Sequence, residues 1–317
     1  MRAVRFHAFG GPEVLRLEEV PLPTCTAGHV LVDVHAVGIN FADTERRRGL
    51  YRRDEPLPVT TGLEGAGVVR EVGEGVDASW LGQRVAFLAS DAAADVCRVE
   101  VERLIPLPPA LSFVECAAFP LQGLTAWHVL HTVARVEPGD TVAITAAAGG
   151  VGLLAVQLAA IAECHVIGLV SSQAKADVVL RRGAHEVVVG AEADQLRDGI
   201  DVLLDSVGRD VSALGLRALR PFGRWVCFGD SSGAAAPIDP AKLLERSLQV
   251  CGYWLRTPHP VHAWKRGVDE VLSLLASKQL VLDVTTVPLE SLADTHRALE
   301  SRRSTGKFVV TVTRETT

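Results

Sequence analysis

The sequence lacks the features of several classes of protein. Its six cysteines stand singly, with no Cys-x-x-Cys pair, so nothing points to a zinc knuckle or a disulfide framework. No apolar run reaches the ~20 residues that cross a bilayer, and the N-terminal MRAVRFHAFG has no signal-peptide pattern. The net charge of −6 gives no general attraction to nucleic acid. We therefore expect a cytoplasmic protein that binds neither membrane nor nucleic acid.

The chain of 317 residues is longer than a single hydrophobic core usually allows, which predicts two domains. Before Pro120, short strand-like runs such as HVLVDVHAVGI are separated by Gly and Pro. After Pro120, apolar strands alternate with helical segments, beginning TVAITA, GGVGLLAVQLAAIA and HVIGLV. This alternation predicts an α/β fold with a parallel sheet covered by helices on both faces.

The segment AAAGGVG follows the first of these strands and opens a helix. Ala147, Gly149 and Gly152 occupy the three positions of the dinucleotide-binding motif G-x-G-x-x-G, with alanine in place of the first glycine. The first position serves a tight turn, the second the approach of a pyrophosphate, and the third close helix–strand packing. The alternative is that these small residues serve packing alone. The expected cofactor contacts are Ala148, Gly149, Gly150, Val151 and Gly152.

The residues after the second strand favour NADPH over NADH. NAD-specific sites carry an Asp or Glu there, whereas HVIGLV continues into Ser171, Ser172 and, after two further residues, Lys175. Two hydroxyls and an ammonium suit a 2′-phosphate. Alternatively, Lys175 only decorates a helix surface. Loops after the fourth and fifth strands should line the cofactor cleft, because parallel sheets bind ligands at the carboxyl ends of their strands. The residues concerned are Ser206, Val207, Gly208, Phe228, Gly229 and Asp230.

Several long motifs extend this pattern over nearly the whole chain: FGGPEVLRLEEVPLP, VGINFADTERRRGLY, GLEGAGVVREVGEGV, PLQGLTAWHVL and HRALESRRSTGKFVV. In these motifs the chain resembles the zinc-independent quinone oxidoreductases, the zeta-crystallin-like family of the medium-chain dehydrogenase/reductase superfamily. The resemblance implies a GroES-like, strand-rich catalytic domain from residues 1–123 and 260–317. It implies a Rossmann domain, with a doubly wound parallel sheet, over 124–259 and an active site in the cleft.

The same resemblance implies a homodimer formed by pairing of sheet edges through the strand LQVCGYWL. The alternative for that strand is an ordinary covered edge. Zinc-dependent alcohol dehydrogenase relatives carry a cysteine and a histidine in the stretches where this chain has Asn40 and Leu63, so we expect no metal.

Without a metal to polarise a carbonyl, hydride should go to an acceptor that is already electron-poor. We therefore expect an NADPH-dependent enzyme that reduces a quinone. Reduction of an activated C=C bond in an enone, an enal or an enoyl thioester is the alternative. A non-catalytic NADPH-binding protein is a second alternative.

The resemblance also implies roles for individual residues. Tyr51 matches a tyrosine near the nicotinamide that would donate a proton or hydrogen bond to the substrate, although a surface tyrosine is the alternative. Asn40 and Asp43 match positions beside the nicotinamide, and each can alternatively cap the helix FADTERRRG. Thr125 matches a cofactor contact, with an ordinary helix N-terminus as the alternative.

Two departures and one charge cluster complete the expectations. Gly190 stands where relatives often carry a tyrosine close to the 2′-phosphate, which would weaken the preference for NADPH. The segment LASDAAADVCRVEVE lacks a Gly and Tyr pair usual at the substrate cleft, which leaves room for a substrate other than a simple quinone. The arginines 46–48 are read as a solvated face.

Overall fold

The computed structural model describes residues 1–51, 55–190, 196, 199–234 and 238–312, apart from the side chains of 210–212 and 214. The chain forms two compact units. Unit 1 contains Met1–Leu121 and Leu282–Thr317, and unit 2 contains Gln122–Val281. Residues 313–317 of the expected C-terminal segment lie outside the described residues.

The second domain boundary differs from the expected one. The sequence assigns residues 260–281 to the catalytic domain, whereas the structure includes them in unit 2. The reason is packing: the helix over these residues approaches Trp127 so closely that a Cβ on Gly267 would lie 2.9 Å from Cε3 of the indole. This helix follows the last strand of unit 2 and covers an interior side chain of the same unit.

The strands are β1 (Arg2–Phe6), β2 (Arg16–Glu19), β3 (His29–Ile39), β4 (Val59–Thr60), β5 (Glu64–Val72), β6 (Arg84–Leu88), β7 (Val96–Glu100), β8 (Leu104–Pro106), β9 (Thr141–Ile144), β10 (His165–Val170), β11 (Glu186–Val189), β12 (Ile200–Asp205), β13 (Leu219–Cys227), β14 (Gln249–Gly252), β15 (Val284–Pro288) and β16 (Lys307–Thr311). The α-helices are α1 (Phe41–Arg47), α2 (Phe113–Ala118), α3 (Pro120–His128), α4 (Gly150–Ile161), α5 (Gln173–Arg181), α6 (Arg209–Ala218), α7 (Pro240–Arg246), α8 (Val261–Ala276) and α9 (Leu292–Glu300). None of the helices described here is both long and apolar enough to cross a bilayer.

Unit 1 is rich in strands, as the sequence predicts. Its described strands form a sheet in the order β15-β16-β3-β5-β6-β8, in which β7 also pairs with β3, and a smaller sheet in the order β2-β1-β4. The strand β3 is central because it pairs with β5, β7 and β16. Its valines, Val32 and Val34 among them, are buried in the core of the unit, as expected for β-branched residues in a central strand.

Two arginines of α1 are buried, so the prediction of a solvated face over 46–48 is wrong for them. Arg46 donates from Nε to Glu55 Oε2 at 2.7 Å, and the fully buried Arg47 pairs with Glu300. Arg48 alone is exposed. The sequence did not reveal these pairs because Glu300 lies 253 residues from Arg47, and buried arginines are tolerated only with such partners.

Unit 2 contains the parallel sheet that the alternating pattern predicts. Its described strands follow the order β11-β10-β9-β12-β13-β14, and every neighbouring pair is parallel. All residues of β12 are buried, as in strands covered on both faces. The order places the first strand of the unit, β9, between β10 and β12, so successive connections run in opposite directions from it. Ligand crevices of doubly wound sheets form at this point.

His296 of α9 is a fully buried imidazole in unit 1. Its Nδ1 accepts a hydrogen bond from Nε of Arg47 at 3.3 Å, and because a guanidinium only donates, the ring proton is on Nε2. Burial, together with the charge of Arg47, lowers the pKa of His296 to about 3. The unfolded chain takes up this proton near pH 6.5, so this group makes the native state lose stability as the pH falls from about 6.5 towards 3.

The variant His296→Asn keeps an acceptor oxygen for Arg47 but cannot titrate. Between about pH 6.5 and 4, we expect the free energy of unfolding of the wild type to fall more steeply than that of the variant. The difference in slope should approach, at most, about 1.4 kcal/mol per pH unit. Urea unfolding across this range measures it, since the carboxylates titrate in both proteins and cancel in the difference. Parallel pH profiles would contradict the account.

Candidate active site

The turn between β9 and α4 is tight because of Ala146. This alanine has a left-handed backbone with φ of 48°, and its carbonyl accepts from the N–H of Gly149 at 2.8 Å. The sequence assigns the tightness of the turn to Ala147, which is wrong: Ala147 has no positive φ and is fully buried. The methyl group at the first motif position is therefore tolerated because another residue adopts the strained conformation.

The glycines of the turn differ in what surrounds them. A Cβ on Gly152 would collide with the Ala146 carbonyl and lie 2.7 Å from Ala147 Cα, so α4 contacts the turn backbone directly. A Cβ on Gly150 would collide with the side-chain amide of Gln122. At Gly149, the residue that opens α4, the nearest atom is 3.1 Å away. Gly152 is thus required by packing against backbone, whereas the clash at Gly150 is with the end of a flexible side chain and the contact at Gly149 is milder.

The carboxyl end of β10 carries the polar residues expected near a 2′-phosphate. Ser171 and Ser172 are exposed directly after the strand, and Lys175 is half-buried in the first turn of α5. Burial lowers the pKa of the Lys175 ammonium. Gly190 lies at the same edge, because its N–H donates to Val170 at 2.8 Å. No carboxylate occurs in residues 171–175, so this segment presents no negative charge to a phosphate.

Asp205 organises the next part of the edge and was not singled out from the sequence. Its side chain, 1% exposed, accepts from Thr145 Oγ1 at 3.1 Å and from the backbone N–H groups of Val207 at 2.9 Å and Gly208 at 3.3 Å. Its other oxygen accepts from Trp225 Nε1 at 3.3 Å. One carboxylate therefore joins the ends of β9, β12 and β13. The available signal was an acidic residue at the last position of a strand that is apolar apart from Asp201.

The two loops predicted after β12 and β13 lie together. The N–H of Ser231 donates to Ser206 at 3.0 Å, and the N–H of Ser232 donates to Val207 at 2.9 Å. A Cβ on Gly229 would lie 3.3 Å from the Ser206 carbonyl. The predicted residues Ser206, Val207 and Gly208 thus form one surface with Phe228, Gly229 and Asp230 at the carboxyl edge of the sheet.

The positions of Thr125 and Tyr51 do not test the contacts predicted for them. Thr125 is buried in the middle of α3, so the alternative of a helix N-terminus is wrong, and its cofactor contact stays a prediction. Tyr51 is half-buried shortly after α1 and immediately precedes residues 52–54, which lie outside the described residues. Its proposed contact with a substrate is also a prediction.

Asn40 and Asp43 are buried at the start of α1 in unit 1. Asn40 is the residue that opens the helix, and its backbone N–H donates to Oδ2 of Asp43 at 2.8 Å. This is the helix-capping arrangement left open as an alternative to cofactor contact. Removal from water raises the pKa of Asp43 to about 6, despite the opposing hydrogen bond from Asn40 and the nearby charge of Lys307.

Two ionic residues not singled out from the sequence complete this group. Lys307 donates from Nζ to Asn40 Oδ1 at 2.7 Å and also to Glu64 Oε1. Asn40 in turn donates from Nδ2 to Glu64 Oε1 at 2.7 Å. We call these three residues the Asn40 triad. The sequence could not pair them, because Lys307 lies 267 residues from Asn40 and 243 from Glu64.

A strand-rich unit joined to a doubly wound sheet with a glycine turn defines the class of two-domain, nucleotide-dependent dehydrogenases and reductases. Comparison with known proteins agrees. Residues 26–131 match the alcohol dehydrogenase GroES-like domain family, and residues 150–273 match the zinc-binding dehydrogenase family.

Full-length relatives narrow the class. The chain is 35% identical to quinone oxidoreductase 1 of Escherichia coli, over 97% of this chain and 98% of the relative. It is 34% identical to a 2-haloacrylate reductase of a Burkholderia species, over 97% and 98%. The crystal structure of E. coli quinone oxidoreductase complexed with NADPH matches 98% of this chain and 100% of its own, with 34% identity and a TM-score of 0.93.

The chain therefore belongs to the quinone oxidoreductase family of the medium-chain dehydrogenase/reductase superfamily. The expected family and the expected fold class, a GroES-like domain with a Rossmann domain, are both confirmed. The name of one matching family includes zinc, but the donors here do not fit it. Asn40 and Glu64 share the ammonium of Lys307, and the described residues contain no group of three or more His, Cys, Asp or Glu side chains placed to hold a metal ion.

The packing of the turn predicts different effects for two glycines. Gly152→Ala should lower the free energy of unfolding by about 1–3 kcal/mol, because the new methyl group collides with backbone. Gly149→Ala should cost less than about 1 kcal/mol, since its φ of −77° suits alanine and its neighbour is farther away. Urea unfolding of both variants checks the order, and equal losses would contradict it.

Proposed function

We propose that this protein is an NADPH-dependent, metal-free oxidoreductase that delivers hydride to a quinone. The observation that carries the proposal is the full-length similarity to a quinone oxidoreductase together with a NADPH-compatible edge of unit 2. There, two serines and a lysine follow β10 where an NAD-specific site would carry a carboxylate.

The residues of unit 2 fit a dinucleotide. The N-terminus of α4 at Gly149 would offer backbone N–H groups to the pyrophosphate, with Ala148, Gly150, Val151 and Gly152 beside it. Ser171, Ser172 and Lys175 would bind the 2′-phosphate. The joined loops 206–208 and 228–230, together with Thr125, would line the nicotinamide half. When bound, NADPH supplies the hydride from C4 of its nicotinamide ring.

Unit 1 is the proposed catalytic domain and supplies the polar groups for the acceptor. A quinone that accepts hydride develops negative charge on oxygen, and a proton at that oxygen completes the hydroquinone. Tyr51 is the proposed donor, because a phenol stays protonated at neutral pH. We assign Asn40 to contact with the nicotinamide end through its amide, and Asp43 to the support of Asn40 through its backbone N–H.

Reduction of an activated C=C bond is a second candidate. It is favoured by the similarity to a 2-haloacrylate reductase, which is nearly as close in identity as the quinone oxidoreductase and covers the chain equally well. Both reactions need the same hydride and a proton, so the same residues would serve either substrate.

We further propose a cytoplasmic homodimer. β14 is the terminal strand of the sheet order in unit 2, and its outer edge can pair with the same strand of a second copy. Large apolar side chains are exposed on either side of it in sequence, with Leu244 81% and Val261 82% exposed.

The cofactor assignment predicts the effect of a charge reversal. Lys175→Glu should raise the KM for NADPH about tenfold to a hundredfold, because a charge-assisted contact to the 2′-phosphate becomes a repulsion. The KM for NADH should change little. Lys242→Glu, an exposed lysine of α7, is the control with the same change in charge. Steady-state kinetics with both cofactors decides, and an equal effect on NADPH and NADH would refute the assignment.

The catalytic assignment is tested with the only two tyrosines of the chain. Tyr51→Phe should lower kcat about tenfold or more, because the proton donor is lost. Tyr253→Phe is the matched control, since that hydroxyl contacts His259 within unit 2 at 3.0 Å. NADPH consumption is measured with p-benzoquinone, cyclohexenone, chloroacrylate and crotonyl-CoA. Turnover of the alkenes alone would favour the second candidate, and tight NADPH binding with no acceptor reduced would indicate a non-catalytic protein.

A further inference from the structure

The orientation of the Asn40 amide is fixed by chemistry as well as by geometry. An ammonium can only donate hydrogen bonds, and a carboxylate can only accept them. The Asn40 oxygen must therefore face Lys307 and its nitrogen must face Glu64, as the two distances of 2.7 Å record. A flipped amide would oppose donor to donor and acceptor to acceptor. Any ligand that meets this amide meets it in one orientation.

The triad is rigid. Asn40, Glu64 and Lys307 are 2%, 0% and 3% exposed, and they come from the starts of α1, β5 and β16. The second oxygen of Glu64 accepts from the backbone N–H of Leu121 at 2.7 Å. A Cβ on Gly38 would lie 2.7 Å from Glu64 Oε1, so the carboxylate rests directly against the backbone of β3.

Stability alone is a weak reason for such an arrangement. Burial of an ion pair removes both charges from water, and apolar side chains of similar volume often stabilise a core equally well or better. A fixed hydrogen-bonding geometry is what an apolar pair could not supply.

We infer that Lys307 and Glu64 are positioning residues, which act through Asn40 by holding its amide in the orientation that the nicotinamide end requires. The inference rests on the proposed function, since it assigns Asn40 to the cofactor. Lys307 and Glu64 need not touch the cofactor or the acceptor. Loss of the donor to Asn40 Oδ1 should leave the cofactor bound less well and oriented less productively.

The test compares two double variants that both neutralise the buried pair. Lys307→Gln with Glu64→Gln keeps a donor within reach of Asn40, whereas Lys307→Met with Glu64→Gln removes it. We expect the Met variant to show an NADPH Kd raised about tenfold and a kcat lowered about tenfold or more, and the Gln variant to recover most of both. Thermal unfolding establishes that each variant is folded. Arg70→Met with Asp33→Asn, which neutralises a more exposed pair between β5 and β3, should leave both constants unchanged.

A mutant cycle with Asn40→Ala separates positioning from stability. If the pair acts through Asn40, the Met double variant should have no further effect on Kd or kcat once Asn40 is alanine. Additive effects, or equal constants for the folded Met and Gln variants, would overturn the inference. Should the Met variant not fold, the same cycle is run with Lys307→Leu and Glu64→Gln, which also removes the donor to Asn40 Oδ1 and neutralises the pair. A wild type that binds NADPH but reduces no acceptor would refute the proposed function, while the Kd cycle would still decide the positioning.

Discussion

The buried carboxylate of Asp205 is the constraint on which the carboxyl edge of the sheet in unit 2 depends. The edge consists of loops, which have no ladder of hydrogen bonds to hold them. A carboxylate at 1% exposure must be compensated by donors, and here they come from Thr145, Trp225 and the loop after β12. The hydrogen bonds that compensate this buried charge therefore also fix the spacing between the ends of three strands.

Unit 1 applies the same physical rule at a different place. Its core of valines and other apolar residues supplies the free energy of burial, but apolar contacts do not fix the direction of a polar side chain. The Asn40 triad supplies that direction, because ammonium, amide and carboxylate fit together in one way only. In both units, a buried charge is placed where an element begins or ends, and its partners come from other elements.

The sequence was informative wherever a feature depends on nearby residues. The alternation of strands and helices and the glycine turn are local patterns, and the structure has both at the expected residues. The lack of a carboxylate in 171–175 is likewise a local feature of the sequence. The strain at Ala146 was missed because small residues on either side look alike until backbone angles are known. The burial of Arg47 and the pairing of Lys307 were missed because their partners are hundreds of residues away. The end of the second domain was misplaced for a similar reason. Gly267 and Trp127 are far apart in the sequence, so their contact cannot be recognised from either segment alone.

The proposed metal-free reaction makes the direction of hydrogen-bond donors important. A Lewis acid stabilises developing negative charge from almost any direction, whereas a hydrogen bond weakens steeply when its angle departs from linear. An enzyme without a metal must therefore control the direction of each donor before the reaction begins. In this chain, the amide of Asn40 is held by the ammonium of Lys307 and the carboxylate of Glu64. Under the proposed function, Lys307 and Glu64 direct the amide of Asn40, so the three residues are expected to act as one unit.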